Sequence, residues 1–176
     1  MPFSVLLLTG VSSKRHITGA KNSRVSMPSI LSDEVALFFD KLDESPARSV
    51  LGLTEKCCDG IIFYANENQK AICLVEMKNA NLGLAKEQLM QTYDRLHSLL
   101  KKECSSCSNY LESIFWQAYI YHSGSSLPGG YRNTENDLKG HGFKEAWVRS
   151  DPDISQYLRM QVGATLRNQR SRKHGH

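Results

Sequence analysis

CDGIIFYANENQKAICLVEMK, residues 58–78, is the stretch of sequence that decides the fold. It contains two apolar runs, 58–65 and 71–77, separated by the polar residues 66–69, and this arrangement is typical of a β-hairpin. Because side chains alternate along a strand, the two runs predict two apolar faces. One face would hold Ile61, Phe63, Ile72 and Leu74, and the other Ile62, Tyr64, Cys73 and Val75. A sheet that is apolar on both faces must be covered on both, which indicates helices packed around a central sheet.

The hairpin also predicts a cluster of charged side chains at one end of the strands. A turn centred on the polar residues pairs Ala65 with Lys70 and therefore places Asp59 opposite Glu76. Facing residues have Cβ atoms ~4.5–5.5 Å apart, a separation at which two carboxylates can bind one divalent cation. Lys78 projects from the same face as Glu76. The alternative is an exposed strand-end salt bridge, which contributes about 0–1 kcal/mol.

Apolar spacing predicts the other elements. Val35, Phe38, Phe39 and Leu42 recur at the helical interval after a possible N-cap at Ser32, which predicts an amphipathic helix at 32–43. The remaining predictions are strands at 5–8, 50–53, 113–121 and 146–149, helices at 82–102 and 154–166, and loops at 12–29 and 123–142. The segment at 12–29 would be a loop or a mobile arm.

Length and composition indicate one globular domain, 1–176, with basic appendages at both ends. No apolar run approaches the ~20 residues that a membrane span requires, and the short run at 5–8 lacks the features of a secretory signal. Cys58 and Cys73 lie in apolar strands, which favours a reducing compartment. The expectation is a soluble, cytoplasmic protein.

Positive charge is concentrated at the two ends of the chain. Residues 1–31 and 154–176 contain basic residues and no acid, although the net charge of the whole chain is only +4. The basic residues are Lys14, Arg15, Lys21, Arg24, Arg159, Arg167, Arg170, Arg172 and Lys173. Basic ends around an acidic centre suit a protein that binds nucleic-acid phosphates, although solvated termini have the same composition.

The segment from Asp59 to Ile62 and the Glu76-Met77-Lys78 triplet, followed by a long helix, resemble the PD-(D/E)xK nuclease superfamily. The resemblance covers about residues 30–122. It implies an α/β fold with a restriction-endonuclease-like αβββαβ core, in which a central mixed sheet is flanked by helices. Cys58 stands where the motif's name has proline.

The resemblance also implies roles for individual residues. Asp59 and Glu76 would ligate Mg²⁺ (or Mn²⁺), and Lys78 would orient the water that attacks the phosphodiester. An acid on the first helix often completes such a site, and Glu34 is the matching candidate.

Gln88 is a further candidate site residue on the long helix. In the RecB-like branch of the superfamily a glutamine followed four residues later by tyrosine marks this helix. Here Thr92 occupies the fourth position and Tyr93 the fifth. The alternative is that Gln88 is a solvent-facing helix residue.

These observations predict a Mg²⁺-dependent nuclease acting on nucleic acid, with DNA as the expected substrate, in repair, restriction or antiviral defence. The alternative is an inactive nuclease-fold module that binds nucleic acid or a protein partner, and a homodimer is left open. A third hypothesis is a structural zinc site. It would use Cys57, Cys58, Cys104 and Cys107, with His97 as a substitute ligand.

Overall fold

The computed structural model describes residues 11–19, 23–42, 48–49, 51–53, 57–77, 81–103, 112–124 and 126–160. The strands are β1 (His16–Thr18), β2 (Arg24–Ser26), β3 (Val35–Asp40), β4 (Gly60–Ala65), β5 (Lys70–Met77), β6 (Phe115–Tyr121) and β7 (Glu145–Arg149). The helices are α1 (Leu82–Glu103), α2 (Tyr131–His141) and α3 (Ser155–Leu158).

A five-stranded mixed sheet forms the centre of the molecule, with the strand order β3-β4-β5-β6-β7. Strands β3, β4 and β5 are antiparallel neighbours, whereas β6 is parallel to β5 and β7 is parallel to β6. Parallel neighbours need a crossover connection, and α1 and α2 supply the two that this sheet requires. The expectation of an α/β protein with a mixed sheet flanked by helices is therefore confirmed.

The register predicted for the hairpin is confirmed. Ala65 lies opposite Lys70, and Gly60 lies opposite Val75 at the other end of the pair. The polar turn is closed by a hydrogen bond from the Asn66 N–H to the Gln69 carbonyl, 2.9 Å. Since one slipped residue would move every side chain to the other face, the two apolar faces fix this register.

Both faces of the sheet are buried, as the hairpin sequence predicts. On one face Ile61, Ile72 and Leu74 pack with α1 and with Leu138 of α2. On the other, the core contains Ile62, Tyr64, Cys73 and Val75 from the hairpin, Ile17, Val25 and Met27 from the β1–β2 region, and Ile154, Tyr157 and Leu158 near α3. We call these the α1 face and the α3 face. Helices thus cover one face, and a small hairpin with one helical turn covers the other.

The helix predicted at 32–43 is wrong, because Val35–Asp40 forms β3 at the edge of the sheet. Phe38 belongs to the core on the α3 face and Phe39 to the core on the α1 face. A short strand that buries side chains on both faces reproduces the apolar spacing of a helix, so periodicity alone does not separate the two.

The loop predicted at 123–142 is wrong in part, because Tyr131–His141 forms α2. Only Thr134 and Leu138 are buried in this helix, so its apolar stripe is too narrow to detect by periodicity. The strand predicted at 50–53 is wrong for the described residues 51–53, where the chain turns.

The predictions for the remaining segments differ in outcome. The long helix and the strands at 113–121 and 146–149 are confirmed as α1, β6 and β7. The helix predicted at 154–166 is a four-residue turn, Ser155–Leu158, within the described residues. The predicted strand at 5–8 and the basic residues 167–173 lie outside the described residues.

The N-terminal segment is a packed hairpin and not the loop or mobile arm predicted for 12–29. Strands β1 and β2 pair antiparallel, and Ile17, Val25 and Met27 are fully buried beneath them. Sequence analysis did not predict this hairpin, because the segment contains too few apolar residues to show the alternation of a strand. Across the described part of the chain, every helix is too short or too polar to span a bilayer.

Candidate active site

Two carboxylates meet at one end of the β4–β5 pair, where the strand register places them opposite each other. The Asp59 N–H donates a hydrogen bond to Glu76 Oε2, 3.1 Å, and the Met77 N–H donates one to Asp59 Oδ2, 2.7 Å. Each carboxylate therefore takes the place of a main-chain carbonyl in extending the ladder beyond Gly60 and Val75. These reciprocal hydrogen bonds hold the two acidic side chains beside each other.

This carboxylate pair lies in a buried environment. Glu76 is 0% exposed and Asp59 is half-buried. The pKa of the neighbouring Cys58 thiol is raised well above its usual range, first by burial and then by the negative charge of Glu76. Burying a carboxylate is costly unless its charge is balanced, and a second carboxylate beside it raises that cost. Two adjacent carboxylates are also a donor set that a divalent cation could use.

The site lies at the carboxyl end of β5, the strand whose parallel neighbour is β6. In open α/β sheets, functional groups collect outside the carboxyl ends of the parallel strands, because crossover loops leave the edge open there. Lys78, the predicted third member of the site, follows β5 directly and lies outside the described residues.

Helix α1 holds the chain that enters the site. The Gln88 side-chain N–H donates to the Cys57 carbonyl, 2.9 Å, and the Cys58 N–H donates to Thr92 Oγ1, 3.1 Å. The Thr92 hydroxyl in turn donates to the Gln88 carbonyl, 2.7 Å. The main chain immediately before Asp59 is thereby fixed to one turn of the helix.

Gln88 is therefore not the solvent-facing residue of the alternative hypothesis. Its described hydrogen bond also does not go to either carboxylate. Gln88 is 7% exposed and contacts main chain two residues before Asp59. Its role in the described structure is to position the segment that carries Asp59. Thr92, which sequence analysis noted only as a departure from the RecB-like pattern, makes the second of the two hydrogen bonds.

Tyr93 points away from this cluster into an aromatic core. Its ring packs against Trp116, with the centroids 4.8 Å apart, and against Phe143, with the centroids 4.9 Å apart. The residue after Thr92 therefore joins α1 to the sheet and to the segment that follows α2.

Glu34 does not belong to this site, which corrects the prediction that it completes the metal ligands. It precedes β3 at the end where Val35 lies opposite Ala65, so the length of β4, roughly 20 Å, separates it from Asp59. Its carboxylate accepts hydrogen bonds from Arg159 at 2.6 and 2.8 Å and from the Tyr64 hydroxyl at 2.8 Å. Because residues 35–40 form a strand and not a helix, Glu34 is held at the opposite end of the strands.

His122 also lies at this end of the sheet, and sequence analysis missed it. It directly follows β6 and is 7% exposed. The available signal was a polar residue immediately after an apolar parallel strand, since the carboxyl ends of parallel strands meet at one edge.

The donor set fits a magnesium ion better than a zinc ion. Mg²⁺ keeps several of its waters and is commonly bound through one or two carboxylates, which Asp59 and Glu76 supply. Zinc sites use mainly Cys and His ligands, whereas the two groups held together here are carboxylates. Within the described ranges, no cluster of three or more His, Cys, Asp or Glu side chains is arranged to hold a metal. Cys104 and Cys107 lie outside those ranges.

Comparison of the chain with protein-family models, with curated proteins and with solved structures finds no significant match.

Proposed function

We propose that this chain is a metal-dependent nuclease that hydrolyses phosphodiester bonds of nucleic acid, with DNA as the expected substrate. One observation carries the proposal: two carboxylates are held together by reciprocal main-chain hydrogen bonds at the carboxyl end of a buried parallel strand. Apolar pairs occupy the rest of the same face of the hairpin, which sets the two acids apart from their surroundings.

The order of the strands is a second support. Three antiparallel strands, a long crossover helix and a parallel fourth strand follow the βββαβ order that the PD-(D/E)xK resemblance implies. The helix expected before them is missing from residues 23–34, where the described chain forms β2 and irregular structure. Strand β7 and helix α2 extend the sheet beyond that core.

The proposed chemistry gives each residue of the candidate site a role. Asp59 and Glu76 would hold the divalent cation, which lowers the pKa of a bound water and stabilises charge that develops on the phosphate. Gln88 and Thr92 fix the main chain that carries Asp59. Lys78, two residues after Glu76, is proposed to orient the attacking water and to balance the additional negative charge.

A cleavage panel tests the proposal. The purified chain is incubated with plasmid, linear duplex, single-stranded DNA and RNA in Mg²⁺, Mn²⁺ or EDTA. We expect metal-dependent cleavage by the wild type and a rate lower by more than about a hundredfold in Glu76→Gln, because a group that stabilises transition-state charge contributes on that scale.

The matched control is Glu34→Gln, which alters a buried glutamate at the opposite end of the strands. This variant should cleave at the wild-type rate whenever it is folded. Cleavage by Glu76→Gln at the wild-type rate would place the active site elsewhere. Binding of nucleic acid without cleavage under any of these conditions would favour the inactive module instead.

A further inference from the structure

The β1–β2 hairpin ends beside the carboxylate pair. Gly60, which follows Asp59, lies so close to Ile17 of β1 that an added Cβ atom would collide with its side chain. Gly19, directly after β1, lies equally close to the side chain of Met77. The Met77 N–H in turn donates to Asp59 Oδ2. The hairpin therefore contacts both strands that meet at the candidate site.

Hydrogen bonds fix this hairpin on the sheet. The Thr18 N–H donates to Asp40 Oδ1, 2.6 Å. The Ser26 N–H donates to the Pro152 carbonyl, 2.8 Å. Beneath these bonds, Ile17 is fully buried in the core on the α3 face. Side chains on the outer surface of the hairpin are therefore held at a fixed position relative to the carboxylates.

The outer surface of the hairpin carries Arg24 at the end nearest the site. Because Ile17 and Val25 project into the core, alternation directs their neighbours Thr18 and Arg24 outward. Thr18 and Arg24 are paired across the two strands, and the Arg24 side chain is exposed. They form the outward pair closest to the carboxylates.

The distance from Arg24 to the site is short enough for one substrate to contact both. The Ser23 hydroxyl, one residue before Arg24, donates to Met77 Sδ, 3.5 Å. One Cα step of about 3.8 Å and the length of a methionine side chain then place the Arg24 Cα roughly 10 Å from that of Met77. Each strand of a DNA duplex carries one phosphate per ~3.4 Å of helix axis. A phosphate bound by Arg24 would therefore lie only a few nucleotides from the bond at the carboxylates.

The outer surface of the hairpin is also cationic. Lys14, Arg15 and Arg24 have exposed side chains, and residues 11–19 and 23–32 contain no acid. Within the described part of the chain, no carboxylate forms an ion pair with any of the three. Arginine, lysine, serine and threonine side chains are the usual contacts of proteins to phosphate oxygens. The composition of this surface therefore fits a polyanion that carries phosphate groups.

Acidic residues limit this surface on the β2 side. Asp153 is bridged to Ser26, and both Asp151 and Asp153 are exposed there. Their carboxylates accept hydrogen bonds from main-chain N–H groups of the same segment. Because they would repel a phosphate backbone, the cationic path runs from Arg24 along β1 towards Lys14.

We propose that the outer surface of the β1–β2 hairpin binds the sugar–phosphate backbone of the nucleic-acid substrate next to the scissile bond. Arg24 contacts the phosphate nearest to the carboxylates, and Lys14 and Arg15 contact phosphates further along the strand. The inference rests on the proposed nuclease function and deepens it, because it names the surface that holds the substrate. Two carboxylates repel a polyanion, and cations held beside them offset that repulsion.

A salt series tests the proposal without depending on cleavage. Binding of the full chain to a short fluorescent duplex, and to one of its single strands, is measured by anisotropy in EDTA at increasing KCl concentrations. Each lost phosphate contact should reduce the log–log salt slope on duplex DNA by about 0.9, which is about eightfold in affinity at about 0.1 M salt. Arg24→Gln should lose one contact, and the Lys14→Gln, Arg15→Gln double variant should lose two.

Lys102→Gln is the matched control. It removes the same charge from an exposed position in the last turn of α1. This helix begins just after the site and is roughly 33 Å long, so its last turn lies at the opposite end of the sheet. The control should keep the wild-type slope. Equal losses of slope in Arg24→Gln and Lys102→Gln would reflect net charge alone and would overturn the proposal.

Failure of this proposal can be distinguished from failure of the proposed function. If the wild type cleaves nucleic acid while Arg24→Gln and the double variant keep its slope, the hairpin is not the binding surface and the proposed function stands. If Arg24→Gln flattens the slope but no metal supports cleavage, the nuclease function fails and the binding surface remains. Vesicles of phosphatidylserine and phosphatidylcholine provide a further arm. Vesicle binding that is lost in Arg24→Gln, with an unchanged slope on nucleic acid, would assign the surface to anionic lipid instead.

Neutral phosphate analogues locate the contact made by Arg24. In an end-labelled substrate, a single methylphosphonate is placed at successive positions around one cleaved bond. The wild type and Lys102→Gln should cleave that bond several-fold more slowly when the analogue occupies the contacted position. Arg24→Gln should show no further loss there, because its contact is already missing. The same additional loss in Arg24→Gln at every position would show that Arg24 contacts none of these phosphates and would overturn its assigned role.

Discussion

Two glutamates are buried at opposite ends of the same sheet, and their surroundings differ. Glu34 is 7% exposed and accepts hydrogen bonds from the Arg159 guanidinium, the Tyr64 hydroxyl and the Leu31 N–H. Glu76 is 0% exposed, and its neighbour across the strand pair is the carboxylate of Asp59. One acid is matched to a cation of the protein, and the other is placed beside a second acid.

The hydrogen bonds around Glu34 lower its pKa. It is lowered from 4.5 to about 2, mainly by the hydrogen bond from Arg159 and against the opposing effect of burial. Such a carboxylate is a structural group, because its charge is already balanced by the fold. At the other end two carboxylates lie beside each other and could share a divalent cation, so the Glu76 end is the candidate metal site.

The largest effect expected to separate the two ends is stabilisation by a divalent metal, which the proposed function predicts. A ligand that binds only the folded state stabilises it by about 2.7 kcal/mol at a hundredfold excess over Kd. Unfolding of the wild type in urea should therefore require more denaturant with saturating Mg²⁺ or Mn²⁺ than with EDTA.

The comparison predicts opposite outcomes for variants at the two ends. Glu34→Gln should keep the metal-dependent shift, even from a lower starting stability, because its carboxylate is not a ligand. The Asp59→Asn, Glu76→Gln double variant should lose the shift. An equal shift in the double variant would show that the metal binds elsewhere.

A smaller effect is expected at the Glu34 end, where loss of the cation should reduce stability. Arg159→Met removes the hydrogen bonds from the guanidinium to a buried carboxylate, and the expected loss is about 2 kcal/mol at neutral pH. Asp137→Asn is the control, since the exposed Lys86–Asp137 pair should contribute about 0–1 kcal/mol. A loss no greater than that of the control would show that the buried ion pair adds nothing.

The same ion pair predicts an acid-sensitive stability. Because the folded-state pKa of Glu34 lies below its unfolded value, its contribution is fully present above the unfolded pKa and is lost as pH falls from 4.5 towards about 2. Urea unfolding across this range should show a decline that is weaker in Arg159→Met and in Glu34→Gln. An unchanged decline in both variants would assign it to other groups.

The part of the site that lies on the hairpin could be predicted from the sequence. The polar turn and two apolar runs fix the pairing of Ala65 with Lys70, and alternation then places Asp59 across from Glu76. Both steps depend on local spacing, which the order of residues records directly.

The residues that tertiary pairing brings together could not be predicted in this way. Glu34 was assigned to the wrong end because an edge strand with Phe38 and Phe39 on opposite faces has the spacing of a helix. Its partner Arg159 is 125 positions further along the chain, and nothing local to either residue indicates the contact. The position of His122 near the carboxylates depends on the β5–β6 register. That register cannot be read from local spacing, because a crossover helix separates the two strands in sequence.

The smallest effect sharpens the comparison by testing how Asp59 is held. Thr92→Val keeps the shape of the side chain but leaves the buried Cys58 N–H without its acceptor, and the expected loss of stability is about 1 kcal/mol. If the released segment also loosens Asp59, Mn²⁺ affinity should fall by about fivefold, the equivalent of about 1 kcal/mol. Thr92→Ser retains the hydroxyl and should bind Mn²⁺ like the wild type, while the acid-sensitive stability at Glu34 should be unchanged in both variants.

Mn²⁺ binding is measured by electron paramagnetic resonance, and the Asp59→Asn background provides the decisive comparison. Thr92→Val should weaken binding in the wild-type background and have no further effect once Asp59 is replaced, because the hydrogen bond acts on the metal through that residue. Equal affinities for the valine and serine variants would limit Thr92 to a structural role in α1.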